Sequence, residues 1–285
     1  MNPLWLLAVI LLLPAARAQF EVASLRTNPD CENVPRSGSL SPSPGRLEMP
    51  CVTLAGLLQT AYGTFADGVS INTQPLHMKG VPSWARSENY SLSAKADGPA
   101  STEMLAGPML QAFLEERFRL KTHREMREMP VYSMTVGKGG LKVQALAEGD
   151  CTPLDLSHPP PLLKPGDPPP NVCGVLIIRP TGKGQTTMEV RGSTMTQFAQ
   201  RLSGRVDRTV IDKTGIAGKF NFHLEFTPDP GASPADPGKA HDHADADPAP
   251  TLFVALQEQL GLKLSPDKRL VTFLIVDHVE KPAAN

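Results

Sequence analysis

The sequence predicts an α+β fold made of two similar helix–strand units, with helices packed on mainly antiparallel sheets. Three observations carry this. Thr53-Leu54-Ala55-Gly56-Leu57-Leu58, ending at Gly63, aligns with Thr194-Met195-Thr196-Gln197-Phe198-Ala199, ending at Gly204, at an offset of 141 residues. Further on, Leu110, Leu114, Glu116, Phe118, Leu120 and Lys121 align with Leu252, Leu256, Glu258, Leu260, Leu262 and Lys263 at an offset of 142. A register held across two separated segments is the mark of an internal duplication. Around these segments, runs with helical spacing of apolar residues alternate with β-branched alternating runs, which places helices on one face of a sheet.

The elements follow from local chemistry. Phe20 to Leu25 alternates and reads as a strand, and residues 28–47, with four prolines and two glycines, read as a loop. Thr53 is an N-cap for a helix carrying Leu54, Leu57, Leu58, Ala61 and Tyr62, stopped at Gly63. Val69 to Met78 is extended, and Tyr90 to Ala94 alternates as a half-buried strand. A second helix runs from about Thr102 to Arg117, its start open to delay by Pro108. Phe118–Thr122 and Val131–Val136 read as paired strands joined by the charged stretch His123 to Pro130. In the second unit, strands are expected at Val175–Arg179, Thr187–Val190, Val210–Asp212 and Phe220–Phe226, with a helix over Thr194–Leu202. The chain closes with a helix over Leu252–Leu260, a short strand Leu262–Leu264 and a strong strand Val271–Val279.

The expected organisation is a signal peptide over 1–18, a first α+β module over 19–144, a Pro-rich linker over 145–173 and a second module over 174–285. The linker holds Pro159-Pro160-Pro161 and Pro168-Pro169-Pro170, which favour polyproline geometry. A low-complexity insert at about 228–250, rich in Pro, Asp, Ala and His, is expected to be disordered. In the leader, Leu4 to Pro14 is apolar but shorter than the roughly 20 residues a bilayer span needs, and Ala16-Arg17-Ala18 supplies a cleavage pattern. Export to the periplasm or medium is therefore expected, with no membrane span after cleavage. Loss of Arg17 with the leader takes the 28 basic side chains to 27 against 29 acidic ones. That balance gives no basic patch of the kind nucleic acid requires.

Four cysteines, Cys31, Cys51, Cys151 and Cys173, lie beyond the leader, and an even count in an exported chain favours disulfides. Of the three possible pairings, Cys31–Cys51 and Cys151–Cys173 close local loops and are preferred. No CxxC, HExxH or GxSxG occurs, and nothing in the sequence specifies a cofactor or a metal site. His241-Asp242-His243 with Asp245 and Asp247 has metal-ligating side chains but sits in the low-complexity insert, without a fixed element to present them.

Two loops hold the candidate ligand-binding residues. Gly80-Val81-Pro82-Ser83-Trp84-Ala85-Arg86 presents Trp84 and Arg86, residue types that anchor binding surfaces. Ile211-Asp212-Lys213-Thr214-Gly215 presents Asp212 and Lys213. The sequence Asp-Lys-Thr-Gly opens the phosphorylation motif of ion pumps, but Ile216 replaces the Thr that would follow and membrane spans are missing. Lys213-Thr214-Gly215 matches a β-lactamase element, but the one Ser-x-x-Lys, at Ser265–Lys268, lies downstream rather than upstream. A turn built on Asp212 and Gly215 is the simpler account.

Together, Phe20-Glu21-Val22-Ala23-Ser24, Ala61-Tyr62-Gly63, Pro82-Ser83-Trp84, Met109-Leu110 through Lys121, Val210–Gly215 and Val276-Asp277-His278-Val279-Glu280-Lys281-Pro282 resemble an uncharacterised, exported, soil-associated family expanded in acidobacteria. Similar domains occur fused to antirepressor-type sensor metallopeptidases, so the resemblance implies extracytoplasmic sensing or binding. It carries no catalytic residues over, and Val81 and Ala85 depart from the residues usual there, Gly and Leu. The expectation is a non-catalytic module for a peptide, glycan or envelope protein. The rivals are a polymer hydrolase using Asp212, Asp277 and His278, and a structural subunit of a cell-envelope assembly.

Overall fold

A computed structural model describes residues 19–31, 45–69, 71–147, 149–154, 171–181, 184–228 and 250–282. The leader, most of the linker and nearly all of the 228–250 insert, with its histidines and aspartates, lie outside the described residues.

The order of elements is β1 (Phe20–Thr27), β2 (Arg46–Thr53), α1 (Leu54–Leu58, continuing as a π-turn over Gln59–Thr64), β3 (His77–Lys79), α2 (Trp84–Ser87) and β4 (Asn89–Ala96). Then come α3 (Thr102–Met104), a π-turn over Leu105–Met109, α4 (Leu110–Arg117), β5 (Lys121–Val136) and β6 (Gln144–Ala145). The remainder is β7 (Leu176–Pro180), β8 (Thr186–Ser193), α5 (Met195–Ser203), β9 (Val210–Asp212), β10 (Phe220–Phe226), α6 (Leu252–Gln259) and β11 (Leu262–His278). The α+β class is as the sequence predicts.

Three sheets organise these strands: β1-β4-β2, β6-β10-β8-β7 and β3-β11-β5-β9. The first two are antiparallel and belong to opposite halves of the chain. Helices cover one face of each. Leu54, Leu57, Leu58, Leu105, Leu110 and Leu114 meet Leu47, Met49, Tyr90 and Leu92 in a first core. Met195, Phe198, Leu202, Leu252 and Leu256 meet Met188, Val190, Phe222 and Leu224 in a second, where Phe198 stacks on Phe222 at 4.0 Å between ring centroids.

The third sheet joins the halves. β5 and β11 pair antiparallel from Leu262↔Val136 to His278↔Lys121. Each end of this ribbon enters the other half's core: Leu274 and Val276, near the C-terminus, belong to the first, and Met134, from β5, to the second. The short strands cross over too. β3 pairs in parallel with β11, His77 opposite Phe273, and β9 with β5, Val210 opposite Tyr132. The exchange ends in paired caps: the Glu280 amide donates to the Phe118 carbonyl (2.8 Å), and the Lys142 amide donates to the Leu260 carbonyl (3.0 Å).

The helix starts match their sequence signals. The Thr53 hydroxyl accepts from the Gly56 amide, and Thr194 forms a full capping box with Gln197. Both preferred disulfides, Cys31–Cys51 and Cys151–Cys173, are present. Several boundaries differ. His123–Pro130 is strand rather than connection, and Ser265–Leu270 continues β11, because each stretch supplies the other's backbone partners. The Val69–Met78 strand shrinks to His77–Lys79. The helix over Thr102–Arg117 is broken at Gly107, whose φ of −102° and ψ of −107° leave the helical region ahead of Pro108. β2 takes in the last two residues of the expected 28–47 loop and runs on over 48–53, where no strand is expected, with Leu47 and Met49 facing the core.

Leu274→Ala removes a fully buried side chain from the first core through a change in the last strand; we expect it to cost about 2–5 kcal/mol in urea-melt stability. Gly261 sits at φ +70°, and a Cβ there would stand 1.9 Å from the Gly140 carbonyl oxygen. Gly261→Ala should lower stability by more than about 2 kcal/mol, from the left-handed backbone cost plus that clash.

Candidate functional site

The two predicted loops occupy matching places, each after a crossing-over short strand (β3 or β9) and before an outer-sheet strand (β4 or β10). In the first, Gly80 has φ +77° and lies against the Val276 carbonyl, so close that a Cβ would be 2.3 Å from its oxygen. Trp84 opens α2 rather than lying in an open turn. It is partly buried, stacked at 6.5 Å and 13° on Phe118, with the Lys281 ammonium 5.6 Å from its ring centroid. Lys281 also pairs with Glu88, which accepts a hydrogen bond from the Tyr90 hydroxyl at 3.2 Å. Arg86, in the last turn of α2, is exposed.

In the second loop, Asp212 is a turn former. Its Oδ1 accepts from the Thr214 amide (2.9 Å) and hydroxyl (2.7 Å), and its Oδ2 accepts from the Thr196 hydroxyl (3.0 Å). The Lys213 amide donates to the Met134 carbonyl while its side chain stays exposed. The carboxylate is thus fully engaged in holding the loop to α5.

These loops do not converge. Asp212 lies opposite Met134 on β5, whereas Asp277 follows Val276, which lies opposite Thr122. Twelve strand residues separate the two places along β5, a contour of up to about 40 Å at ~3.3 Å per residue. Asp277 instead pairs with His123 (2.8 Å) and His278 with Glu280 (2.8 Å), all exposed. Asp212 is thus bonded within its own loop and to α5, Asp277 to His123 and His278 to Glu280, and the described hydrogen bonds and ion pairs link none of the three to another. Among the described residues no group of three or more His, Cys, Asp or Glu side chains could hold a metal ion.

The structure offers cavities instead. One, of about 700 Å³, opens where β1, the end of α4 and the C-terminal segment meet. Its apolar floor includes Phe20 and Phe113, in edge contact at 6.3 Å. Its charged rim carries Arg117, Arg119 and Lys281 against Glu116 and Glu280. A second, of about 720 Å³, lies by β6, β8, β10 and the end of α6.

Arg119 is the unusual residue of the first cavity. At φ +50° it is the non-glycine residue with a left-handed backbone among the described residues, where an L-side chain costs about 1–2 kcal/mol. It is the first residue past the C-cap of α4, a place that favours glycine. The corresponding place past α6 holds Gly261. The signal was present in the sequence, since Phe118-Arg119-Leu120-Lys121 aligns with Leu260-Gly261-Leu262-Lys263 and the one discordant pair is Arg with Gly.

A family model matches residues 55–279, from within α1 to just past β11, and so covers both cores and the exchanged strands. The chain belongs to DUF3738, a family of proteins of unknown function. No curated protein and no solved structure matches it. Membership in DUF3738 covers the Trp84 loop, the Asp212 loop and Arg119, but assigns none of them a role. No helix of the DUF3738 chain is long and apolar enough to cross a membrane, among the described residues.

The tyrosines near the first site give a pH test. Burial, then the charge of Glu115, pushes Tyr62 up to about 12; burial, then its hydrogen bond to Glu88, does the same for Tyr90. Burial also raises Tyr132, the third and last tyrosine. A phenol whose folded pKa exceeds its unfolded value of about 10 stabilises the fold below pH 10, and that contribution is lost as pH rises through 12. We expect the 295 nm tyrosinate absorbance of Tyr62 and Tyr90 to rise near pH 12 rather than near pH 10. The urea midpoint should fall between pH 10 and 12.

Proposed function

We propose that this protein is an exported, non-catalytic binding or sensing module that takes its ligand in the cavity bordered by β1, α4 and the C-terminal segment. The observation that carries the reading is Arg119. A charged side chain held in a strained backbone where the other half has glycine is a cost to stability, and such costs concentrate at functional sites. Around it the cavity has an aromatic floor and a mixed-charge rim, which suits a polar ligand with apolar groups: a peptide, a glycan fragment or a segment of an envelope protein. Trp84 lies one residue away, behind Lys281.

Export is part of the proposal. It rests on the 1–18 leader, on the two disulfides, which persist in oxidising compartments, and on the lack of a membrane-crossing helix among the described residues. We further propose that the two halves descend from a duplication. The pairs His77–Phe273 and Val210–Tyr132 support it, since Tyr132 and Phe273 differ by the same 141 residues that separate the Thr53 and Thr194 helix caps. A sensing role follows the resemblance to domains fused to sensor metallopeptidases.

The test pairs stability with binding. Arg119→Gly should raise stability by about 0.5–1 kcal/mol, the relieved backbone cost less the added freedom of the unfolded chain. It should also abolish the melting shift given by the ligand. In wild type, a ligand at 100 times its dissociation constant stabilises by about 2.7 kcal/mol, and Trp84, the one tryptophan beyond the leader, should report it by fluorescence. Full-length oxidised protein would be screened against peptides, glycans and cell-wall fragments. A ligand that changes Trp84 fluorescence yet keeps its full melting shift in Arg119→Gly, or no ligand of any class that changes that fluorescence, would overturn the reading.

A further inference from the structure

A third cavity, of about 220 Å³, lies between the halves, away from the first. Its walls come from four places: Ile71 and Thr73 before β3, Pro153 and Leu154, the Cys173–Gly174 turn, and the side of α5 away from the second core, with Gln197, Gln200 and Arg201. Lys219 closes one side. The Cys151–Cys173 disulfide fixes the turn. Gly192, at φ +58°, lets it approach: a Cβ there would stand 2.5 Å from the Cys151 sulfur and 3.3 Å from the Cys173 Cβ.

The charge in this cavity is one-sided. Arg201 and Lys219 line it, and no carboxylate is among its lining residues that the structure describes. The guanidinium of Arg201 donates through Nη2 to the Gly174 carbonyl, but its Nε is buried and makes no hydrogen bond among the described residues. Burial also presses its proton affinity down. A guanidinium carries five N–H donors and no acceptor, and a buried cation short of partners is costly unless an anion meets it. Its planar fork matches a carboxylate, which accepts two parallel hydrogen bonds. Beside these cations the lining has an apolar patch of Ile71, Pro153, Leu154 and Cys173, and the uncharged polar groups of Thr73, Gln197 and Gln200.

We infer that this cavity is a binding site for a small carboxylate with a short apolar stem, held by the Arg201 guanidinium with Lys219 as the second cation. The carboxylate lies in plane with the guanidinium and satisfies the buried Nε. The stem rests on Ile71 and Leu154, and Gln197 and Gln200 are placed for a neighbouring polar group. The same chemistry belongs to a free short-chain acid and to the C-terminal residue of a peptide. Because Ile71 and Thr73 come from the first half and Arg201 from the second, and Thr73 donates to Gln200 at 3.3 Å, an occupant spans the junction and draws the halves together.

Oxidised full-length protein would be titrated with butyrate, N-acetylalanine and N-acetylalanine amide, following the Arg201 Nε–H resonance by NMR and the melting midpoint. Both acids should move the resonance saturably and raise the midpoint, and the amide should do neither. Tighter binding of N-acetylalanine assigns the site to a peptide C-terminus, tighter binding of butyrate to a free acid. Arg201→Gln should weaken the acids by roughly ten- to a hundred-fold, the loss expected for hydrogen bonds to a charged group, and Lys219→Gln by less. Arg119→Gly, in the other cavity, should leave this titration unchanged. An Arg201 resonance unmoved by either acid, an amide binding as well as its acid, or undiminished binding in Arg201→Gln would each overturn the assignment. Should Arg201→Gln not fold, the wild-type titration and Lys219→Gln decide it.

Discussion

Everything in this molecule hangs on the pairing of β5 with β11. A two-stranded ribbon alone is marginally stable at best in water. Here the ribbon is anchored at both ends by burial, since Leu120, Leu274 and Val276 sit in one core and Met134, Leu262 and Leu264 in the other. Its middle is solvated and held by backbone hydrogen bonds and local ion pairs such as Arg127–Glu125 and Arg269–Asp267. The ribbon sets the distance between the halves and supplies a wall to each. It also decides which residues can meet. Groups near its two ends, such as Asp212 and Asp277, keep separate partners, whereas loops that fold back over its centre touch, as His77 does with Thr209 at 2.8 Å.

Much of the fold was legible in the sequence where local chemistry and burial agree. Phe220–Phe226 reads directly, because Phe220, Phe222, Leu224 and Phe226 point inward by strict alternation. The helix caps at Thr53 and Thr194 read as well, since a hydroxyl before an apolar helical run has one economical use. The disulfides followed from loop closure. The centre of the ribbon did not read. His-Arg-Glu-Met-Arg-Glu-Met has neither a buried face nor β-branched residues, so it is a strand only because β11 lies beside it, a fact more than a hundred residues away in sequence. β2 was hidden for the related reason that its short apolar pattern adjoins a turn-rich stretch.

The candidate sites were less legible than the fold. Composition drew attention to Trp84 and to Asp212, and geometry shows both engaged locally: Trp84 on Phe118 beside Lys281, Asp212 within its own turn. Arg119 and Arg201 are ordinary residues in the sequence. What distinguishes them is a backbone angle in one case and a buried, unpartnered nitrogen in the other, and neither property is carried by residue type. Only the misalignment of Arg119 with Gly261 left a trace that could be read beforehand.

The paired caps, Glu280 onto Phe118 and Lys142 onto Leu260, have a consequence for how the molecule comes into being. The wall of the first core comes from β11, more than a hundred residues after α4 in the chain. Until it arrives, α4 ends without its cap and the first core lacks Leu274 and Val276, so the N-terminal half has no finished state to rest in during synthesis. Contacts of such long sequence separation make folding slow and place it late. A half that borrows its wall from so distant a strand stays open until that strand is made, whatever the order in which its own elements form.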